Sequence, residues 1–151
     1  MYTSTIANRG VRYRATFLNR VVSADYTQLI HEQLGEIMST AEISDEAYET
    51  VVQGMTMVAG ESGGTAYGTF YDYPIPVAAK TGTAQTGYTN ASDNGSFVCF
   101  APANDPQIAI AVYGERAGHG SSVAAIARAI LDAYFNVGQG TPTIPGENEL
   151  N

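Results

Sequence analysis

The sequence predicts an α+β domain, an antiparallel sheet covered by helices. Three strand candidates, Ile75–Gln85, Gly95–Ala101 and Gln107–Glu115, follow one another closely. Their connections, Thr86–Asn94 and Pro102–Pro106, are rich in Gly, Asn, Asp and Pro, which suits hairpins. Both are too short for a parallel crossover, which needs roughly a dozen residues. Helical patterns lie before and after this strand run, so helices are expected to cover the sheet. With 151 residues, 44% apolar and 15% charged, the composition is that of one globular domain.

Taken in order, Met1–Gly10 reads as the last turns of a helix, with Asn8 and Gly10 as cap-like residues. A domain rarely begins on a helix's last turn, so the chain is expected to be the C-terminal piece of a longer domain. Residues 15–23 are β-prone and suit a short strand, and residues 26–43 read as irregular with some strand. Ser44 is placed to cap a helix running to Ala59, with Gly60 just past its end. Ala47, Val51, Val52, Met55, Val58 and Ala59 recur at helical spacing, and Met55 and Met57 are read as packing residues. A Gly- and Tyr-rich stretch, residues 60–74, leads into the strands. Ser121 or Ser122 is expected to cap a last helix to about Asn136, burying Val123, Ile126, Ala127, Ile130, Leu131 and Tyr134. The organisation expected is therefore one domain over 1–137 and a flexible tail over 138–151.

Charge narrows the function classes. The formal net charge is -8, and four of the six arginines fall within the first twenty residues. Clustered basic residues elsewhere are lacking, so a nucleic-acid partner is not expected. Cys99 stands alone in an apolar run and reads as a core residue, leaving no intrachain disulfide. One cysteine and two histidines give no zinc constellation, and no cofactor is expected. No apolar run approaches the roughly 20 residues that cross a bilayer. A membrane anchor, if the parent has one, is outside this chain.

Lys80 is the only lysine, set between Ile75-Pro76-Val77-Ala78-Ala79 and Thr81-Gly82-Thr83-Ala84-Gln85. An ammonium in an apolar strand must reach a cavity or a counter-charge, because burying it unpaired is costly. Thr81 and Thr83, two apart, share one face of a strand. Gly82 between them removes a side chain where a ligand backbone could approach. Such an edge could hold a carboxylate with two hydroxyls and a cation. The same residues also suit a solvent-facing lysine in a Thr-rich strand.

Lys80-Thr81-Gly82-Thr83-Ala84-Gln85 resembles the third active-site motif of penicillin-binding proteins, and its Ala-Gln ending is similar to the class B transpeptidases. Ala7-Asn8-Arg9-Gly10 resembles the family's "ANGG" turn and Val52-Gln53-Gly54-Met55 its "EGM" helix. Gly64-Thr65-Ala66 resembles the "GTA" segment, and Phe97-Val98-Cys99-Phe100-Ala101-Pro102 the "WFVGFAP" strand. The resemblance runs from Met1 to about Phe135. It implies D,D-transpeptidation in bacterial peptidoglycan synthesis: a serine attacks the D-Ala-D-Ala bond of a stem peptide, and a neighbouring stem-peptide amine resolves the acyl-enzyme. β-Lactams acylate the same serine. Lys80 would supply positive charge, Thr81 and Thr83 would bind the terminal carboxylate, and the Thr83 backbone N–H would serve the oxyanion hole. Gly82 would let the substrate run alongside as an added strand. The implied location is the extracytoplasmic face of the cell membrane.

Two of the family's three motifs are missing. Its nucleophile lies in Ser-x-x-Lys, but Val77 stands three residues before the only lysine. Ser92-Asp93-Asn94 spells the second motif on the wrong side of the strand and reads as a decoy. The chain is therefore expected to be inactive alone and to need the N-terminal part of the domain, docking on an exposed apolar face. A non-catalytic β-lactam sensor or binding module on the same fold is the alternative. Gly60-Glu61-Ser62-Gly63-Gly64 also fits a nucleophile elbow, with Asp93 or Asp105 and His119 to follow, but a helix precedes it where an elbow needs a strand. Gly118-His119-Gly120 reads as a tight turn into a helix, not a dinucleotide fingerprint.

Overall fold

Helix α1, Tyr2–Ala7, ends in a reciprocal pair of backbone bonds in the computed structural model, which describes residues 1–138. The Arg9 N–H donates to the Ile6 carbonyl (3.0 Å) and the Gly10 N–H to the Thr5 carbonyl (2.8 Å). This is a Schellman closure in which Arg9 takes the left-handed conformation, φ 51°, with Gly10 at φ 93° beside it. Gly10 is required: a Cβ there would sit 2.4 Å from the Ala41 carbonyl oxygen.

From Gly10 the chain runs out and back as an arm. Strand β1 (Val11–Tyr13) pairs antiparallel with β4 (Ile37–Thr40), and β2 (Arg20–Val22) with β3 (Leu29–Glu32). The Arg14 guanidinium clasps Glu36 with two bonds, 2.6 and 3.1 Å, and stabilises the base of the arm. The strand expected over 15–23 is thus only its last part, and β1 was unforeseen. Thr16 explains the gap: its hydroxyl accepts the Leu18 N–H at 3.1 Å, a local bond that competes with the ladder. Phe17, Tyr26, Ile30 and Leu34 stand exposed along the arm.

Ser44 caps helix α2, Asp45–Gly60, by accepting the Ala47 N–H at 3.2 Å. A narrow stripe of α2 faces the sheet, with Tyr48, Met55 and Ala59 buried and Val52 partly so. Val51 and Met57, expected in the core, are exposed. Tyr48 takes a place the periodicity did not give it, under the Arg9 guanidinium 4.2 Å from its ring centre. A four-residue helix, α3 (Tyr67–Phe70), follows.

The expected three-stranded antiparallel sheet is present, in the order β5 (Ala78–Ala84), β6 (Asn94–Ala101), β7 (Ile108–Gly114). Its first strand starts later than Ile75 because Pro76 has no N–H for a ladder; the Pro76 carbonyl instead accepts the Ala103 N–H at 2.8 Å. Alternation along the strands builds two apolar clusters. Val77, Ala79, Phe97 and Cys99 pack with Phe70 and with Leu131 and Phe135 of the C-terminal region. Ala78 and Phe100 pack with Met55 of α2 and with Ile6 of α1. After β7 comes a 3₁₀ turn, Gly120–Val123, and then α4, Ala124–Tyr134. Neither Ser121 nor Ser122 caps α4 with its side chain; the Ser122 N–H bonds the His119 carbonyl at 3.0 Å, within the 3₁₀ turn. Val123, Ala127 and Leu131 are buried as expected, but Ile126 and Ile130 are exposed. Arg128 ties α4 to the α3 segment, bonding Asp72 at 2.7 Å and the Thr69 carbonyl. The expected tail, apart from Gly138, lies outside the described residues.

Cys99 has no exposed surface, and burial pushes its thiol up from 9.0 to about 12. The unfolded chain therefore loses this proton before the folded chain does. Stability is expected to be undiminished by this group below pH 9.0 and to fall as pH rises from there toward 12. The Tyr73 phenol, also raised by burial and then by the nearby Asp132, adds a loss of the same sign above its ordinary 10.0. Urea midpoints across this range check the effect, and Cys99→Ala should flatten only its lower limb.

Candidate functional site

Strand β5 changes character at Lys80. Ala78 and Ala79 are fully buried, whereas Lys80, Thr83 and Ala84 are exposed and Thr81 and Gly82 half-buried. Met55 packs on the first part of the strand. Beyond Ala79, β5 has β6 on one side and no strand on the other among the described residues. The Lys80 ammonium donates to the Thr81 carbonyl at 2.5 Å, so that carbonyl faces away from β6. A strand residue's N–H and C=O point the same way and alternate from residue to residue. Thr83 therefore turns its N–H and C=O to the same open edge. Lys80 has no carboxylate partner among the described residues. The four predicted site residues are thus brought together on one edge, with a cation, two hydroxyls and free backbone groups.

Gly82 has a tighter role than sequence reasoning gave it. A Cβ at this position would lie 2.4 Å from Ser96 Oγ on β6, the residue directly opposite in the ladder. A side chain at position 82 would therefore require Ser96 to change rotamer. The 3₁₀ turn closes over the same spot: a Cβ on Gly120 would lie 2.2 Å from the Ser96 carbonyl oxygen and 2.7 Å from both Gly82 N and Gly82 O. A Cβ on Gly95 would meet the His119 carbonyl oxygen at 2.5 Å. The Gly118-His119-Gly120 turn thus seats its backbone directly on the strand pair that carries the motif.

Thr65, Ser96 and Gly120 were missed as parts of the site. Thr65 Oγ1 lies 2.8 Å from Thr81 Oγ1. The only signal for the other two was glycine inside strand patterns, which marks close backbone approach. At Ser92-Asp93-Asn94 the Asp93 carbonyl accepts the Gly118 N–H at 2.8 Å, and Asn94 Oδ1 accepts the Arg116 N–H at 2.9 Å. Ser62 follows α2 directly, so the strand that a nucleophile elbow needs is absent before it. Among the described residues no three His, Cys, Asp or Glu side chains form a group that could hold a metal. No helix among them is long and apolar enough to cross a membrane. A cavity of about 460 Å³ by Arg9, Tyr48, Val52 and Pro76 is lined by none of Lys80, Thr81, Gly82 and Thr83.

An antiparallel sheet between helices, with a Lys-Thr-Gly-Thr edge left open beside it, places the chain among α+β proteins. The sequence profile described as the penicillin binding protein transpeptidase domain matches residues 1–132. The chain belongs to this family. The peptidoglycan D,D-transpeptidase MrdA of Escherichia coli is 34% identical over 114 residues, covering 67% of this chain and 18% of that protein. Penicillin-binding protein 2A of Bacillus subtilis is 30% identical over 156 aligned residues, covering 90% of this chain and 21% of that protein. The chain spans about a fifth of the length of these relatives. Among solved structures, Pseudomonas aeruginosa PBP2 in complex with WCK 5153 superposes with a TM-score of 0.73 at 30% identity, covering 97% of this chain and 30% of that one. The imipenem acyl-enzyme of penicillin-binding protein A from Mycobacterium tuberculosis gives 0.68 at 27% identity, covering 87% and 28%.

Proposed function

We propose that this chain supplies the carboxylate-binding edge of a peptidoglycan D,D-transpeptidase, the nucleophilic serine coming from a segment outside its sequence. The observation that carries the reading is the open edge of β5, where Lys80, Thr81 and Thr83 converge. A stem peptide ending in D-Ala-D-Ala would lie along this edge as an added strand, with Gly82 keeping it flat. Its terminal carboxylate would take the Thr81 and Thr83 hydroxyls and the field of Lys80. The serine would attack the penultimate carbonyl, and the Thr83 N–H would donate to the oxyanion formed there. Collapse would expel D-alanine and leave an acyl-serine, which an amine of a second stem peptide resolves. Acyl transfer to serine needs no cofactor. β-Lactams would acylate the same serine, a reading supported by the imipenem acyl-enzyme of the Mycobacterium tuberculosis relative.

The second edge of the sheet, along β7, is unpaired among the described residues, and Tyr113, Ile126 and Ile130 stand exposed. Other parts of the missing N-terminal portion would dock along this edge, while the serine itself would have to reach the β5 edge. Residues 1–137 would act as part of that composite domain, with 138–151 as its tail. The substrate sets the location as the extracytoplasmic face of the membrane, with the anchor outside this chain.

The test is labelling with a fluorescent penicillin. The chain alone, without Ser-x-x-Lys, should stay unlabelled, and co-expression with the serine-bearing segment of its own domain should give a covalent band. Labelling of the chain alone would sink the proposal. A labelled complex that fails to crosslink a lipid II-type substrate would favour a β-lactam sensor instead.

A further inference from the structure

We propose that Thr65 is a positioning residue of this site, whose hydroxyl orients that of Thr81 toward the ligand's carboxylate. The inference rests on the reading of Thr81 as a carboxylate ligand. The two Oγ1 atoms are 2.8 Å apart, and each hydroxyl has one proton to give and two lone pairs to fill. The single proton of Thr81 thus has two competing uses, donation to Thr65 or donation across the open edge. A carboxylate accepts only, so it draws the Thr81 proton outward. Thr65 then donates to the lone pair that Thr81 presents behind it. Two donors in series polarise one another, which strengthens the bond that reaches the ligand.

The position of Thr65 is fixed from both sides. Gly64 is wedged against the last turn of α2, where a Cβ would lie 2.4 Å from the Val58 carbonyl oxygen and 2.5 Å from that of Met57. The Gly64 N–H donates to the Glu61 carbonyl at 2.8 Å, and the Ala66 N–H to the Val58 carbonyl at 3.0 Å. Ala66 itself is buried in the core. Held at 64 and at 66, the backbone sets the Thr65 side chain beside β5 before any ligand arrives. Preorganisation of this kind is what a supporting residue contributes to a binding site.

The measurement is an NMR titration of the 151-residue chain with a short N-acylated peptide ending in D-Ala-D-Ala. The same peptide as its C-terminal amide is the control, and the Thr81, Gly82 and Thr83 amide signals are followed. Thr65→Val should weaken binding of the acid roughly five- to tenfold and leave the amide unchanged, while Thr65→Ser should restore the acid. Weakening of acid and amide alike, or no rescue by serine, would mean a structural role and overturn the inference. So would an unchanged Thr65→Val alongside a weakened Thr81→Val. If the unaltered chain shows no preference for the acid over the amide, or Thr81→Val keeps that preference intact, the parent reading of the edge fails and this inference falls with it.

Discussion

Gly120→Ala is expected to cost about 3 kcal/mol of stability and to abolish carboxylate binding at the β5 edge. The added methyl would meet the Ser96 carbonyl oxygen at 2.2 Å and Gly82 N and O at 2.7 Å. All three are backbone atoms within a strand pair, so no flexible side chain can swing aside. Either the 3₁₀ turn lifts and loosens Val123 and α4 from the core, or β5 and β6 shift beneath it. Overpacking usually costs about 1–3 kcal/mol, and a collision with ladder backbone belongs at the upper end. Gly54→Ala is the contrast. Gly54 sits within α2 with nothing within 4 Å of an added Cβ, so alanine should stabilise by about 0.5–1 kcal/mol. Urea midpoints of the two variants should move in opposite directions. A Gly120→Ala chain with the parent midpoint would show that the turn does not bear on the strands.

The contrast also shows what was legible in the sequence. The hairpins β5–β6 and β6–β7 could be read because strand periodicity and connection length are local properties. So could the Lys-Thr-Gly-Thr motif, whose residues share one strand. Thr65 and Gly120 could not be read as parts of the site, because each reaches β5 only through tertiary packing. Thr65 arrives by the wedge of Gly64 against α2, and Gly120 by the descent of a turn onto Gly82. The helices show the complementary limit. Spacing marks Val51, Ile126 and Ile130 as apolar positions, yet all three are exposed, since periodicity reports a helix face and not what covers it. At Thr16 and at Ser121 and Ser122 the failure is local: short-range bonds replaced the strand and the cap that those residues suggested.

Lys80→Ala is expected to leave stability within about 0.5 kcal/mol of the parent while slowing penicillin acylation of the completed protein roughly a hundredfold. The first half follows from exposure, since Lys80 is in no ion pair among the described residues and its ammonium bonds only the Thr81 carbonyl. The second half follows from charge. A carboxylate on this edge would lose its one cation, and a hydrogen bond to a charged group contributes about 1.5–3 kcal/mol. Ligand entry must also move the ammonium off the Thr81 carbonyl, which frees that acceptor for an N–H of the added strand. Lys80→Arg should recover only part of the rate, because a planar guanidinium cannot place a point charge where the ammonium stood. Since Lys80 is the only lysine, the same event can be followed without mutation. An amine-acylating reagent has only Lys80 and the N-terminus to modify, and the D-Ala-D-Ala peptide should slow modification at Lys80 alone. Equal rates with and without the peptide, or an unchanged acylation rate in Lys80→Ala, would remove the lysine from the site.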